Sequence, residues 1–197
     1  DIWQITITNK ATGKDTDKPA MFLEGNRHSG EVTAAECALW FADHILRGYG
    51  QDAGLTALVD TKALYVRVKN NPDGSEMYLQ TAQSNRSTVR PYDDDRDGLL
   101  DEDPPEDLDG DGFILQVRKK VEPGKGTMTI DPADPSGRLM RRAEPGLGDY
   151  TVSSEGLDSD GDGRINEDGV GGLDLHRNYP ENWRPMPGRD LTGRGFT

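Results

Sequence analysis

Between Asp93 and Asp111 eleven acidic side chains stand against one base, Arg96, and between Asp158 and Asp168 five stand against Arg164. Such segments cannot build an apolar layer, and runs of like charge stay solvated or disordered unless a cation gathers them. The rest of the 197-residue chain is nearly neutral, because these two segments account for the whole formal charge of −13. Their spacing is regular: Asp93-Asp94-Asp95-Arg96-Asp97-Gly98-Leu99-Leu100-Asp101-Glu102-Asp103 matches Asp158-Ser159-Asp160-Gly161-Asp162-Gly163-Arg164-Ile165-Asn166-Glu167-Asp168 position by position. Asp at positions 1, 3 and 5, Gly at 6 and an oxygen donor at 9 open a calcium loop, hard carboxylates around a hard cation. The candidate calcium ligands are Asp93, Asp95, Asp97 and Asp101 in one set and Asp158, Asp160, Asp162 and Asn166 in another. Asp107, Asp109 and Asp111 offer a third. Neither full repeat has Glu at position 12, so the pattern is closer to short extracellular calcium repeats than to an EF-hand. A disordered acidic loop is the plain alternative.

The flanking sequence reads as an α/β layer. Ile2 to Thr8 and Ala20 to Glu24 have strand composition, and Val32, Ala35, Leu39, Ala42, Leu46 and Tyr49 recur at helical spacing up to Gly48. Thr33 with Glu36, or Ser29, would cap that helix. Leu64 to Val68 is a buried strand running into a tight turn at Asn70-Asn71-Pro72-Asp73-Gly74. From about Pro91 to Val170 the texture turns to Asp, Gly and Pro, with short strand candidates at Phe113 to Lys119, Arg138 to Arg142 and Tyr150 to Ser153. This is read as an insert, residues 91–170, and the stretch from Arg184 to Thr197 is again polar and loop-like. The expected fold is α/β, a mixed β-sheet flanked by helices, forming a partial domain with a loop-rich acidic insert. Only 32% of residues are hydrophobic, with 24 Gly and 12 Pro, which points to a loop-rich chain or to a core completed by residues outside this chain.

Composition also excludes. No basic stripe offsets the acid, so nucleic acid is not an expected partner. Cys37 is the only cysteine, which rules out an intrachain disulfide and a multi-cysteine zinc site; it is expected as a small buried hydrophobe. No apolar run approaches the ~20 residues that span a bilayer. Asp1 is not followed by a signal-like leader, so a secreted or periplasmic location is inferred from the calcium-type repeats alone.

His28 and Glu31 lie three apart across a strand-to-helix junction, so one turn can bring an imidazole and a carboxylate to one side of the loop. Both are zinc donors, and a catalytic zinc site needs one further protein ligand. A surface histidine beside a helix-start glutamate is the bland reading of the pair.

Three segments in order resemble the carboxypeptidase A-like zinc metallocarboxypeptidase family. They are Glu24-Gly25-Asn26-Arg27-His28-Ser29-Gly30-Glu31, Asn71-Pro72-Asp73-Gly74 and Leu173-Asp174-Leu175-His176-Arg177-Asn178-Tyr179. The resemblance covers residues 1–90 and 171–183 and leaves the insert outside. It implies that His28 and Glu31 are zinc ligands and that Asp174 orients His28. It implies that Arg177 binds a peptide C-terminal carboxylate through a planar fork. His176 stands where the family has asparagine, so substrate binding is expected to weaken as pH rises through its titration. Arg86, twelve residues after Gly74, matches the family's oxyanion-stabilising arginine, with Arg90 as the alternative and a solvated loop arginine as the plain reading.

The family also requires a third histidine ligand beyond Arg177 and a general-base glutamate. No histidine follows His176, Glu181 is the last glutamate, and His44 lies within a helix as a surface residue. This stretch alone is therefore expected to be inactive, while the complete protein would hydrolyse the C-terminal peptide bond of peptides or proteins with zinc and calcium bound. Two rivals stay open: an amidase or peptidoglycan-directed hydrolase of the same fold, which His176 favours, and a non-catalytic calcium-binding interaction module.

Overall fold

The run Ala63-Leu64-Tyr65-Val66 contains the least exposed hydrophobic residues among those described and forms the middle of a three-stranded sheet in the computed structural model. The structure describes residues 1–181, 183–186 and 189–194. Strand β1 (Ile5–Ile7) pairs antiparallel with β3 (Ala63–Arg67), Ile5 opposite Val66, and β2 (Ala20–Glu24) pairs parallel with β3, Leu23 opposite Val66. A parallel pair needs a crossover. Helices α1 (Thr33–Gly48) and α2 (Ala53–Thr61) provide it, followed after β3 by α3 (Pro72–Gln80).

Helix α1 faces the sheet with Ala35, Ala38, Ala42 and Ile45, mostly alanines that let helix and sheet approach closely. The core gathers Ile7, Ala38, Ala42, Ile45, Val59, Leu64 and Val66. The expected stripe is therefore displaced: Leu39 and Leu46 are 48% and 57% exposed, and Cys37, expected as buried, is exposed. Neither expected cap is used. Val32 precedes the helix with helical backbone angles and no side-chain bond, while Ser29 turns its hydroxyl to Asn85. Strand β1 is shorter than Ile2 to Thr8, with Ile2 and Trp3 exposed.

The expected turn at Asn71 to Gly74 is instead the start of α3. Asn71 caps it by accepting from the Gly74 N–H, and Pro72 occupies the first turn, where its missing N–H costs nothing. Helix α2 begins likewise on Asp52, which accepts from the Leu55 N–H.

The chain divides into two compact units, Asp1–Asp101 with Gly169–Thr197, and Glu102–Asp168. The second holds an antiparallel sheet of β4 (Gln116–Lys120), β5 (Met128–Ile130), β6 (Met140–Arg142) and β7 (Tyr150–Ser154), in the order β4-β7-β5-β6. Its three expected strands are present with shifted ends, and β5 is additional. Among its described residues the buried side chains are Asp103, Glu155 and Asp168, with no buried hydrophobic residue. Glu155 accepts from the N–H groups of Leu115 and Leu108, so this carboxylate fastens the loop between them. Back in the first unit, the polar stretch from Arg184 contains a hairpin of β8 (Arg184–Met186) and β9 (Arg189–Arg194), in place of an unbroken loop.

Candidate metal centre

Three segments of the first unit meet at the ends of β2 and β3. Gly25 follows β2 where a Cβ would stand 2.4 Å from the Ala34 carbonyl oxygen, so only glycine fits. Asn26 adopts a left-handed φ of 52°, is buried, and donates from Nδ2 to the carbonyls of His28 and Ser29 at 2.9 and 3.0 Å. Those bonds curl the loop and turn His28 inward. Buried Asn71 donates its backbone N–H to the Asn26 carbonyl and its Nδ2 to the Ser87 carbonyl, and the Ser29 N–H reaches the Arg86 carbonyl. Asn26 and Asn71 thus position the site, roles the sequence reading did not assign. The only local signals were a Gly-Asn pair after a strand and an asparagine before proline.

His28 is buried, and its ring lies between two carboxylates. Nδ1 is 2.8 Å from Glu31 Oε1 and Nε2 is 3.3 Å from Asp174 Oδ1. A neutral imidazole carries one N–H, so one of these contacts would set a lone pair against an anion. Either a second proton or a metal ion must separate them. The donors fit zinc: bonds of ~2.0–2.2 Å at near-tetrahedral angles put nitrogen and oxygen roughly 3.3–3.5 Å apart, which the observed 2.8 Å contact reaches by opening. Glu31 can make it, since its side chain is largely exposed. Among the described residues no third histidine, cysteine or carboxylate joins this pair on the Nδ1 side.

Asp174 organises the rest. Its Oδ1 accepts from the His176 N–H at 2.8 Å, starting the 3₁₀ turn Leu175–Arg177, and its Oδ2 accepts from Arg86 Nε at 2.9 Å. Burial pushes the Asp174 carboxyl up, but Arg86, the His176 amide and His28 outweigh it and hold it below the ordinary carboxylate range. Arg86, selected as an oxyanion stabiliser, is half-exposed and tied to Asp174, whereas Arg90 lines a cleft with Asn70, Pro72 and Leu175. The His176 ring lies 5.2 Å from that of His28. Burial, then Arg27, Arg177 and His28, lower its pKa against the opposing pull of Asp174, so His176 is neutral at physiological pH. Arg177 donates to the His176 carbonyl. Arg27, not selected from sequence, pairs with Glu24 and lies 4.9 Å over the Tyr179 ring. His44 stacks on Trp40 on the outer side of α1.

The acidic loops share one hydrogen-bond pattern. The first Asp of each accepts the Gly N–H five residues on: Asp93 from Gly98 (3.1 Å), Asp107 from Gly112 (2.8 Å) and Asp158 from Gly163 (3.0 Å). Asp97, Asp111 and Asp162 each accept the amide two residues on. The ninth position behaves differently. Asp101 Oδ1 accepts from the Tyr92 and Gly171 N–H groups, and Asn166 Nδ2 donates to the Ser154 carbonyl. Within the second unit, Asp107, Asp109 and Asp111 come together, as do Asp103, Asp158 and Asp160; Asp103 lies outside the residues chosen by spacing.

Residues 1–112 match the family model for zinc carboxypeptidases. Carboxypeptidase A1 of Homo sapiens is 35% identical over 84 residues, 43% of this chain and 20% of its own. Carboxypeptidase A1 of Mus musculus is 33% identical over 82 residues, 42% and 19%. Carboxypeptidase A2 of Mus musculus is 37% identical over 70 residues, 36% and 16%. The matched region spans at most about a fifth of these relatives' length. No helix among the described residues is long and apolar enough to cross a membrane.

Proposed function

Because the chain belongs to the zinc carboxypeptidase family, we propose that His28 and Glu31 are two ligands of a catalytic zinc ion and that the intact protein removes C-terminal residues from peptides. The observation that carries this is the buried imidazole held between Glu31 and Asp174, which requires a cation or an extra proton on the Nδ1 side. Zinc bound there supplies Lewis acidity for the scissile carbonyl and lowers the pKa of a water.

This chain's own residues do the rest of the positioning. Asp174 accepts a hydrogen bond from Nε2–H, which leaves the Nδ1 lone pair for the metal and strengthens it as a donor. Arg177 presents a planar fork to the substrate's terminal carboxylate, and neutral His176 donates one hydrogen bond where the family has an asparagine amide. Arg86, anchored by Nε on Asp174, brings positive charge to the carbonyl oxygen. The third ligand and the general base belong, in this reading, to the part of the catalytic domain that the relatives have outside the matched region.

The insert is read as a set of calcium loops formed by Asp93, Asp95, Asp97 and Asp101, by Asp107, Asp109 and Asp111, and by Asp158, Asp160, Asp162 and Asn166. Their shared hydrogen-bond pattern supports this, and millimolar extracellular calcium then suits a secreted protein. The enzymatic reading is tested with paired peptides ending in a free carboxylate or an amide. The intact protein should cleave only the former, and Arg177→Ala should raise KM for it. Equal cleavage of the amidated peptide would sink the carboxypeptidase reading and favour the amidase.

A further inference from the structure

We propose that Asp103, Asp158 and Asp160 form a divalent-cation site suited to calcium, which joins the two ends of the second unit in place of a hydrophobic core. This rests on the calcium reading of the insert and goes beyond it in two ways. It identifies a ligand that the repeat spacing does not, and it makes the ion a link between segments instead of the occupant of one loop.

A small unit must be held by burial or by a substitute such as a metal. Here the buried side chains are carboxylates, and no apolar residue is buried. Two of those carboxylates are instructive together. Glu155 uses both oxygens to accept backbone N–H groups, which is how a buried carboxylate is normally satisfied. Asp103, only 1% exposed, uses one: Oδ1 accepts from the Ser159 N–H at 2.7 Å, while Oδ2 is buried without a hydrogen-bond partner. An unmatched anionic oxygen inside a protein is costly unless it meets a positive charge.

What stands beside Asp103 is more negative charge. One oxygen from each of Asp103, Asp158 and Asp160 lies within 4.8 Å of the others. Two oxygens bound to one calcium at ~2.3–2.6 Å are at most about 5 Å apart, so the three fit one shell, and calcium tolerates the irregular geometry that magnesium does not. Crowding of like charge is felt at Asp160. Its carboxyl is lowered by the Asp162 N–H, yet burial and the charges of Asp162, Asp103 and Asp158 leave it raised overall. Asp158 and Asp160 are exposed, so the ion can enter from solvent.

The location gives the ion its role. Asp103 begins the unit and Asp158 and Asp160 lie near its end, so one ion closes the whole intervening chain, as a metal clip does.

Equilibrium dialysis of the intact, zinc-loaded protein against radiolabelled calcium chloride, with thermal unfolding in parallel, tests this. Asp103→Asn should lose one calcium ion or bind it at least ~10-fold more weakly, while Asp43→Asn, at an exposed position of α1 outside every acidic loop, leaves calcium binding unchanged. Without calcium, Asp103→Asn should melt no lower than the parent, because the buried charge is gone and an oxygen remains for the Ser159 N–H. With saturating calcium it should melt lower. Unchanged calcium binding by Asp103→Asn overturns the proposal, and so does a lower melting temperature in both conditions. If Asp103→Asn fails to fold, Asp160→Asn, at an exposed side chain, should show the same loss of one ion, and its retention overturns the site. A parent protein that binds no calcium overturns the calcium reading of the insert as a whole.

Discussion

Replacing Asp174 with asparagine probes the candidate centre through a residue that is not itself a ligand. The Asp174 carboxylate accepts from three donors: His28 Nε2 at 3.3 Å, the His176 N–H at 2.8 Å and Arg86 Nε at 2.9 Å. A carboxamide has one oxygen and an NH2 group, so it must set donor against donor on one side. With its oxygen in the Oδ1 place, the NH2 meets Arg86 Nε–H and releases that arginine. Reversed, it forces Nε2 of His28 to accept, moves the ring proton to Nδ1 and removes the lone pair a metal needs. Partners of this kind change metal affinity by ~10–100-fold, about 1.4–2.7 kcal/mol. The upper part of that range is expected, because the Asp174 side chain is only 15% exposed and water cannot readily stand in for the lost acceptor. Competition with a chromophoric chelator measures zinc affinity directly. Arg86→Gln, which leaves the His28 contact in place, should weaken zinc less. An affinity within about twofold of the parent for Asp174→Asn, against the 10–100-fold expected, would refute the reasoning. So would a larger effect from Arg86→Gln.

Three further outcomes are expected. Leu64→Ala, at a fully buried position of β3, should cost about 2–5 kcal/mol in chemical denaturation, and Leu39→Ala, on the exposed side of α1, less than about 1 kcal/mol; similar losses would contradict the assigned core face. Gly25→Ala should abolish zinc binding and lower the melting temperature, since its Cβ would overlap the Ala34 carbonyl, and a native-like variant that binds zinc would disprove that constraint. Asp134 is held down to about 2 by the N–H of Leu139, the Ser136 hydroxyl and the amides of Ser136 and Arg138. Its folded pKa lies below the unfolded value of about 4, so its contribution is full above that range and is lost as pH falls toward 2. Asp134→Asn should therefore speed amide exchange at Leu139 at neutral pH and have a smaller effect near pH 2, where about half of the carboxyl is protonated; equal effects at both would exclude the carboxylate as cause.

Local signals account for much of the fold and tertiary ones for what was missed. Strand β3 follows from a run of apolar residues whose preference agrees with its burial, and β2 from an apolar run although Met21 and Phe22 stay exposed. Helix α1 was visible in its period, but its orientation was not: small Ala38 and Ala42 pack against the sheet while larger Leu39 and Leu46 do not, and size misleads a reading of hydrophobicity alone. Helix α2 contains Gly54, Thr56 and Val59, weak helix formers held by packing. Helix α3 opens with turn-forming residues, and only the pairing of Asn71 with Pro72 marks it as a helix start. At the candidate centre, His28, Glu31 and Asp174 stand in recognisable segments and meet in space. Asn26, Asn71 and Arg27 act through contacts that no spacing displays. The acidic loops were legible as repeats because their bonds are local. Asp103 was not, because Ser159 and the carboxylates beside it come from the other end of the unit.

The central claim is most directly tested by the zinc content of the intact protein purified without chelators, measured by mass spectrometry for the parent, His28→Ala and Glu31→Gln. Stoichiometric zinc in the parent and its loss from both variants, with secondary structure retained, is the predicted result. Stoichiometric zinc in both variants would contradict it and place the metal elsewhere.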